Sequence, residues 1–111
     1  MKIELDIMDR LRIMADFVPK KVNIIEGVSC RKIIDKMILT DNEIKKWKYK
    51  AEIVNDSTNH FWDKDNDVIT EFDFSSSEVE IMKSQINKMD KEKSFEITSI
   101  DLAIRIRDLK E

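Results

Sequence analysis

The side chains best suited to hold a metal ion are three aspartates, Asp63, Asp65 and Asp67, in the segment DKDND. They occupy the first three ligand positions of an EF-hand calcium loop. The later positions do not fit, because Val68 stands where the sharp turn needs glycine and Phe74 stands where the bidentate glutamate belongs. We therefore interpret the segment as an acidic turn and predict no metal and no other cofactor, with a weak, non-specific cation site as the alternative.

A catalytic nucleophile would have to be built from Cys30 and His60, the only cysteine and the only histidine. One residue of each kind is too few for a zinc site, and a thiol–imidazole pair would need the fold to bring the two together. A buried cysteine on an apolar helix face is the favoured interpretation. The only glycine, Gly27, is too little for a glycine-rich phosphate loop. We expect a protein that is not an enzyme, and a Cys30-dependent enzyme is the third hypothesis.

The segment KKWKYK interleaves bases with aromatic rings, a composition typical of surfaces on which nucleic-acid bases stack. Its bases are Lys45, Lys46, Lys48 and Lys50. The same alternation fits a half-buried strand, in which Trp47, Tyr49 and Ala51 face the core and the lysines face water. Two helices followed by a hairpin also resemble a helix-turn-helix with a wing. Winged-helix-like nucleic-acid binding through the four lysines is therefore the alternative function.

Charge is unevenly distributed along the 111 residues, whose formal net charge is −3. Residues 31–50 carry seven bases and three acids, whereas residues 63–80 carry seven acids and one base. Two poles of opposite sign can bind a charged partner, or a second copy head to tail. The preferred partner-binding residues are those of the acidic patch, Asp63, Asp65, Asp67, Glu71 and Asp73.

The length indicates a single domain spanning residues 1–111, with 41% hydrophobic residues to build its core. No apolar run approaches the roughly 18 residues of a membrane-spanning helix. The N-terminal segment has acids inside its apolar pattern and does not read as a signal peptide. These features predict a soluble, cytoplasmic protein that does not contact a membrane.

The clearest structural signal is a strand that leads directly into a helix. Residues 68–74 alternate with a period of two, and Ser75 stands three residues before Glu78, the spacing of a capping box. A helix over Ser76–Met89 should follow. Thr40 and Glu43 repeat the spacing ahead of a short helix that ends near Trp47.

The remaining elements complete the predicted fold. Helices are expected over 5–17, 28–39 and 99–109, the first ended by Pro19 and the last capped by Thr98, although residues 1–7 also fit a strand. The connector 20–27 should pack Val22, Ile24 and Ile25 onto the core. Strands over 48–54 and 68–74, with a short strand over His60–Trp62 as a further option, should form one small antiparallel meander or hairpin. The prediction is an α+β fold with N-terminal helices, a small central antiparallel β-hairpin or meander and two C-terminal helices.

Several segments, taken in order, carry a family resemblance: DRLRIM (Asp9–Met14), VPKKVNI (Val18–Ile24), CRKIIDKM (Cys30–Met37), TDNE (Thr40–Glu43), Trp62, EFDFSSSEVEIM (Glu71–Met82) and ITSIDLAI (Ile97–Ile104). In this order they resemble a family of small proteins encoded by phages and prophages. Val22 departs from the pattern, which has a glycine before the asparagine. The resemblance implies a phage or mobile-element accessory protein. It implies no activity and no site residue, because the family has no assigned activity.

These observations favour a small phage accessory protein that acts without catalysis, through protein–protein interaction. It would inhibit or adapt a host protein, bind a phage protein, or assemble with itself, for example as a homodimer. Nucleic-acid binding through the four lysines is the second hypothesis.

Overall fold

The computed structural model describes residues 1–63 and 69–110. Its helices are α1 (Ile7–Arg12, continued by a π-helical turn over Ile13–Phe17), α2 (Ile24–Met37), α3 (Asp41–Trp47), α4 (Ser76–Glu92) and α5 (Ile100–Arg107, preceded by a 3-10 turn over Ile97–Ser99). Its strands are β1 (Lys2–Leu5), β2 (Lys50–Val54), β3 (Ser57–Phe61) and β4 (Thr70–Asp73). The predicted α+β class is confirmed.

The described strands form two separate antiparallel pairs, β1 with β4 and β2 with β3. The predicted central antiparallel hairpin is present as β2–β3, but the predicted place of the 68–74 strand in it is wrong, because β4 pairs with the N-terminal strand and places Phe72 opposite Ile3. The period-two prediction for β4 holds, since Phe74 is buried and Glu71 and Asp73 are exposed. Long-range pairing with β1 lets β4 add its inward side chains to the main core.

The ambiguous N-terminus contains both elements that its sequence allowed. Leu5 ends β1, and Asp6 then caps α1 by accepting a hydrogen bond from the Asp9 amide at 2.7 Å. An acidic N-cap lets the chain turn from extended to helical within one residue.

Helix α2 begins at Ile24, four residues before the predicted start at Val28. Asn23 caps it, because its side-chain oxygen accepts the Glu26 amide at 2.8 Å. The predicted packing of the connector onto the core is wrong, since Ile24 is 88% and Ile25 82% exposed. Both lie away from the stripe of Cys30, Ile33 and Met37 that α2 buries at helical spacing.

The capping predictions for α3 and α4 are confirmed, with complete boxes at Thr40–Glu43 and Ser75–Glu78. The predicted Thr98 cap is wrong, because α5 follows Ser99, which makes no side-chain cap. Helix α4 runs to Glu92, beyond its predicted end, and stops where Lys93 adopts a left-handed φ of 53°.

Two clusters make up the core. The larger one joins α1, α2, α4 and α5 under the β1–β4 pair, and α5 contributes Leu102, Ala103 and Ile106. The smaller one consists of Ile7, Leu39 and Trp47, against which Leu11, Tyr49 and Trp62 pack. The smaller cluster holds the base of the β2–β3 hairpin.

Candidate functional site

The described acids of the acidic patch belong to different elements. Glu71 and Asp73 lie on β4, and Asp63 lies two residues beyond the end of β3. The N-terminal amine donates to Asp73 Oδ1 at 2.9 Å, and Lys2 Nζ lies 3.8 Å from Glu71. The hydrogen bond and charge of that amine lower the pKa of Asp73. Asp65 and Asp67 lie outside the described residues. Of the acids that are described, Glu71 and Asp73 already lie beside cations of the same chain.

The four lysines predicted to bind nucleic acid are all exposed. Lys45 and Lys46 lie in the last turn of α3, Lys48 caps that helix in a left-handed conformation, and Lys50 opens β2. Trp47 is buried beneath them, so its ring does not form a platform beside the lysines. The interpretation of buried rings and solvated lysines is confirmed for Trp47, and Tyr49 is half-buried.

The hairpin β2–β3 is the least covered part of the described chain. Its two-residue turn, Asn55 and Asp56, has φ values of 51° and 65°, the left-handed pair that two-residue hairpin turns require. Strands β2 and β3 contact mainly each other. Among the described strands, none pairs with the outer edge of either. The hairpin therefore extends from the smaller core cluster, with much of its surface in solvent.

The apolar side chains of the hairpin are exposed, although the sequence analysis predicted that they face the core. Ala51 is exposed, and Ile53 on the same face is 81% exposed. Phe61, on the opposite face beside Lys50, is 51% exposed. The predicted half-buried strand over 48–54 is therefore wrong in its burial: β2 begins at Lys50, and Glu52, not Ala51 or Ile53, is its one partly covered residue. Trp47 and Tyr49, which do pack on the core, precede the strand.

Tyr49 and His60 link the two strands at the edge of the covered region. The Tyr49 hydroxyl lies 2.5 Å from His60 Nδ1, and the two rings stack with centroids 5.9 Å apart. Burial raises the pKa of Tyr49. The contact joins the two chain segments at the base of the hairpin, and the outer half has no such side-chain link among the described residues.

The structure does not bring Cys30 and His60 together. Cys30 is buried on α2 in the main core, whereas His60 is exposed on β3. Burial, followed by the nearby Glu26 carboxylate, raises the pKa of the Cys30 thiol. The thiolate form needed for nucleophilic attack is disfavoured at this position.

Within residues 1–63 and 69–110, no group of three or more histidine, cysteine, aspartate or glutamate residues could hold a metal ion. Over the same residues, no helix combines the length and the apolar character needed to cross a membrane.

The sequence analysis missed an exposed apolar surface at the start of α2. Ile24, Ile25 and Val28 project into solvent there, next to Glu26. The signal was present, since Asn23 stands three residues before Glu26 with the spacing of a capping box.

Comparison of the chain with protein-family models, with curated proteins and with solved structures finds no match. The interpretation of its function therefore depends on its own residues and their geometry.

Proposed function

We propose that this protein acts without catalysis by binding another protein through the β2–β3 hairpin. The observation that carries the proposal is the exposure of Ile53 at 81% on a two-stranded sheet that the described chain leaves uncovered. Val54 at 47% and Phe61 at 51% are exposed on the other face of the hairpin, so each face presents large apolar side chains that a partner would bury. The edges of the pair also present unpaired backbone groups to a partner strand.

Among the described acids of the acidic patch, Asp63 is the one next to the hairpin in the chain. Asp63 follows β3 directly after Trp62, so the chain leaves the hairpin into the acidic segment. A partner that covers the base of the hairpin would meet the Asp63 carboxylate at the rim of the interface, where charge contributes mainly to specificity and association rate. The partner is a host or phage protein in the cytoplasm of the host cell, as the resemblance to phage proteins implies, or a second copy of the chain.

The test is affinity capture from nuclease-treated host lysate with quantitative mass spectrometry. Ile53→Asp should abolish capture of a stoichiometric partner. Ile97→Asp is the matched control, because Ile97 is 91% exposed in a different part of the fold and should tolerate the same change. Capture that survives Ile53→Asp would rule out the hairpin as the contact. Charge reversal of Asp65, Asp67 and Glu71 tests the acidic patch, and unchanged capture would show that the patch takes no part in binding.

Nucleic-acid binding is the second candidate, favoured by the exposure of all four lysines around the junction of α3 and β2. Against it, α3 has only seven residues and opens with Asp41 and Glu43. Binding through lysines weakens steeply with salt, because counterions are released from the phosphates. Fluorescence anisotropy with labelled DNA and RNA should show this slope, and a Lys45→Gln, Lys48→Gln double variant should reduce it. No binding at low salt would dispose of this candidate.

A further inference from the structure

The outer edge of strand β2 carries backbone groups that the described chain leaves unpaired. The two-residue turn of the hairpin closes with a hydrogen-bonded pair between Val54 and Ser57. Hydrogen-bonded and non-hydrogen-bonded pairs alternate along antiparallel strands, so Ala51 and Ile53 direct their amide and carbonyl groups away from β3. No turn, cap or further strand of the described chain takes up these groups. The edge can therefore accept one more strand.

A second copy of the chain brings an edge of the same kind. A two-stranded hairpin is only marginally stable in water by itself, and beyond its base the β2–β3 pair contacts mainly itself. Two identical edges related by a two-fold axis run antiparallel, and their pairing closes after two copies. The product is a four-stranded sheet, β3–β2–β2–β3, in which both β2 strands are central.

Backbone geometry permits few alignments of two β2 edges. The outward groups belong to alternate residues, so the two-fold axis must pass beside one residue and place it opposite its own copy. An axis between two residues would set an outward group of one strand against an inward group of the other. The alignment is therefore defined by which residue of Lys50–Val54 lies at the axis.

Side-chain charge selects one of these alignments. An axis at Lys50 or at Glu52 places two like charges directly opposite each other, which destabilises a strand pair. An axis at Ile53 or Val54 brings turn residues into the ladder. An axis at Ala51 places Lys50 opposite Glu52 of the second copy, and symmetry repeats the pair. Only the alignment at Ala51 therefore pairs every charge of β2 with its opposite.

The same alignment covers the most exposed apolar side chain of the hairpin. Ile53, which is 81% exposed, lies opposite Tyr49 of the second copy. Tyr49 shares a face with Ala51 and Ile53, because its ring stacks on His60, the partner of Ala51 in β3. An aromatic ring opposite a β-branched side chain stabilises a sheet. The ladder ends there, since the Tyr49 amide already donates to the Ile44 carbonyl at 3.0 Å.

We propose that two copies of this protein join by antiparallel pairing of their β2 strands, with Ala51 at the two-fold axis. One face of the joined sheet carries the pairs of Lys50 with Glu52, and the other carries the pairs of Ile53 with Tyr49. Lys50 and Glu52 of one chain already form an ion pair at 2.5 Å, so the four charges alternate in sign around the axis. The inference rests on the proposed function, because it names the partner of the same hairpin.

Sedimentation equilibrium of the full-length protein measures the dissociation constant of the pair. Lys50→Glu and Glu52→Lys each turn two attractive contacts into two repulsive ones, so each should raise the Kd about tenfold or more. An equimolar mixture of the two variants should associate like the wild type, because opposite charges face each other again in the mixed pair. Lys2→Glu is the matched control: it reverses an exposed lysine of another strand, 3.8 Å from Glu71, and should leave the Kd unchanged.

Disulfide formation tests the alignment itself. Two copies of Ala51→Cys should form a covalent dimer on mild oxidation, because the α-carbons of a hydrogen-bonded pair lie about 5.5 Å apart, within reach of a disulfide. Ile53→Cys should not cross-link, since its two copies lie four residues apart along the ladder, or about 14 Å. The native thiol of Cys30 is buried and takes no part.

Four results would overturn the inference: a monomer at every concentration, a dimer that survives both charge reversals, a mixture that associates no better than either variant, or cross-linking of Ile53→Cys in place of Ala51→Cys. Affinity capture separates this failure from that of the proposed function. A monomer that loses capture of another protein on Ile53→Asp would overturn the inference alone. A monomer whose capture is unchanged by Ile53→Asp would overturn both.

Discussion

Arg10 and Glu43 form a two-point ion pair, with Nη1 to Oε2 at 2.8 Å and Nη2 to Oε1 at 3.2 Å. The same guanidinium donates to the carbonyls of Met37 and Ile38, each at 3.0 Å, and lies over the ring of Phe72. A single buried side chain of α1 thereby joins the end of α2, the start of α3 and strand β4. The planar fork of arginine makes this set of contacts possible.

Replacing Arg10 by methionine should lower the free energy of unfolding by about 3 kcal/mol, because removing one partner of a buried pair leaves the other uncompensated. Arg10→Lys should recover only part of the loss, since an ammonium group cannot reproduce the fork. Urea denaturation measures both. Arg107→Met is the control, as Arg107 is exposed, and it should change stability by less than about 0.5 kcal/mol. Equal effects of the two methionine variants would contradict the role of Arg10.

Stability should fall as the solution is acidified. The hydrogen bond from Arg10 is the main cause of the lowered pKa of Glu43. Burial alone would raise the pKa of Glu78, but hydrogen bonds from Lys36 and Ser75 outweigh it and lower the pKa. Each folded pKa thus lies below the ordinary value of 4.5. The stabilisation is complete above that value and is lost as the pH falls through it toward the folded pKa.

Urea denaturation across this pH range measures the effect, and Glu43→Gln is the informative variant. It keeps the capping box but removes one titrating group, so its stability should depend less on pH than that of the wild type. Identical pH profiles for the two proteins would contradict the assignment of Glu43.

Cys30 should resist thiol reagents in the folded protein. Its side chain is 5% exposed, and burial raises its pKa. Labelling with a chromogenic disulfide should be slower than in the urea-unfolded chain by on the order of a hundredfold or more. Glu26→Gln should leave labelling slow, because burial is the larger cause of the shift. Rapid labelling of the native protein would revive the hypothesis of a Cys30-dependent enzyme.

Replacing lysine by glycine should change the stability in opposite directions at two positions near the C-terminus of α4, Lys93 and Lys91. Lys93 adopts a φ of 53°, a conformation that costs a residue with a β-carbon roughly 1 kcal/mol. Lys93→Gly should therefore stabilise the protein by about 0.5 kcal/mol or more. Lys91→Gly, inside the helix, should destabilise it by about 1 kcal/mol. Thermal denaturation of both variants checks the signs, and destabilisation by both would show that the left-handed cap carries no strain.

Features that depend on a few neighbouring residues, such as the start of a helix, could be predicted from the sequence. The spacing of Thr40 with Glu43 and of Ser75 with Glu78 placed the starts of α3 and α4 correctly, because a capping box involves only four neighbouring residues. The alternation with a period of two likewise identified the inward face of β4, because the direction of a side chain in a strand depends only on its position along that strand. The start of α2 was missed although Asn23 and Glu26 carry the same signal, since the surrounding aliphatic residues suggested a buried connector.

Only the tertiary structure shows which helices and strands contact each other. The sequence could not show that β4 pairs with β1, or that Arg10 reaches Glu43 across 33 positions, because such contacts depend on how distant segments pack. It showed that Ile53 and Ile25 are apolar, but not that both stay exposed. Hydrophobicity belongs to the residue, whereas burial depends on what the rest of the chain places over it. The candidate interaction surfaces lie where that cover is missing.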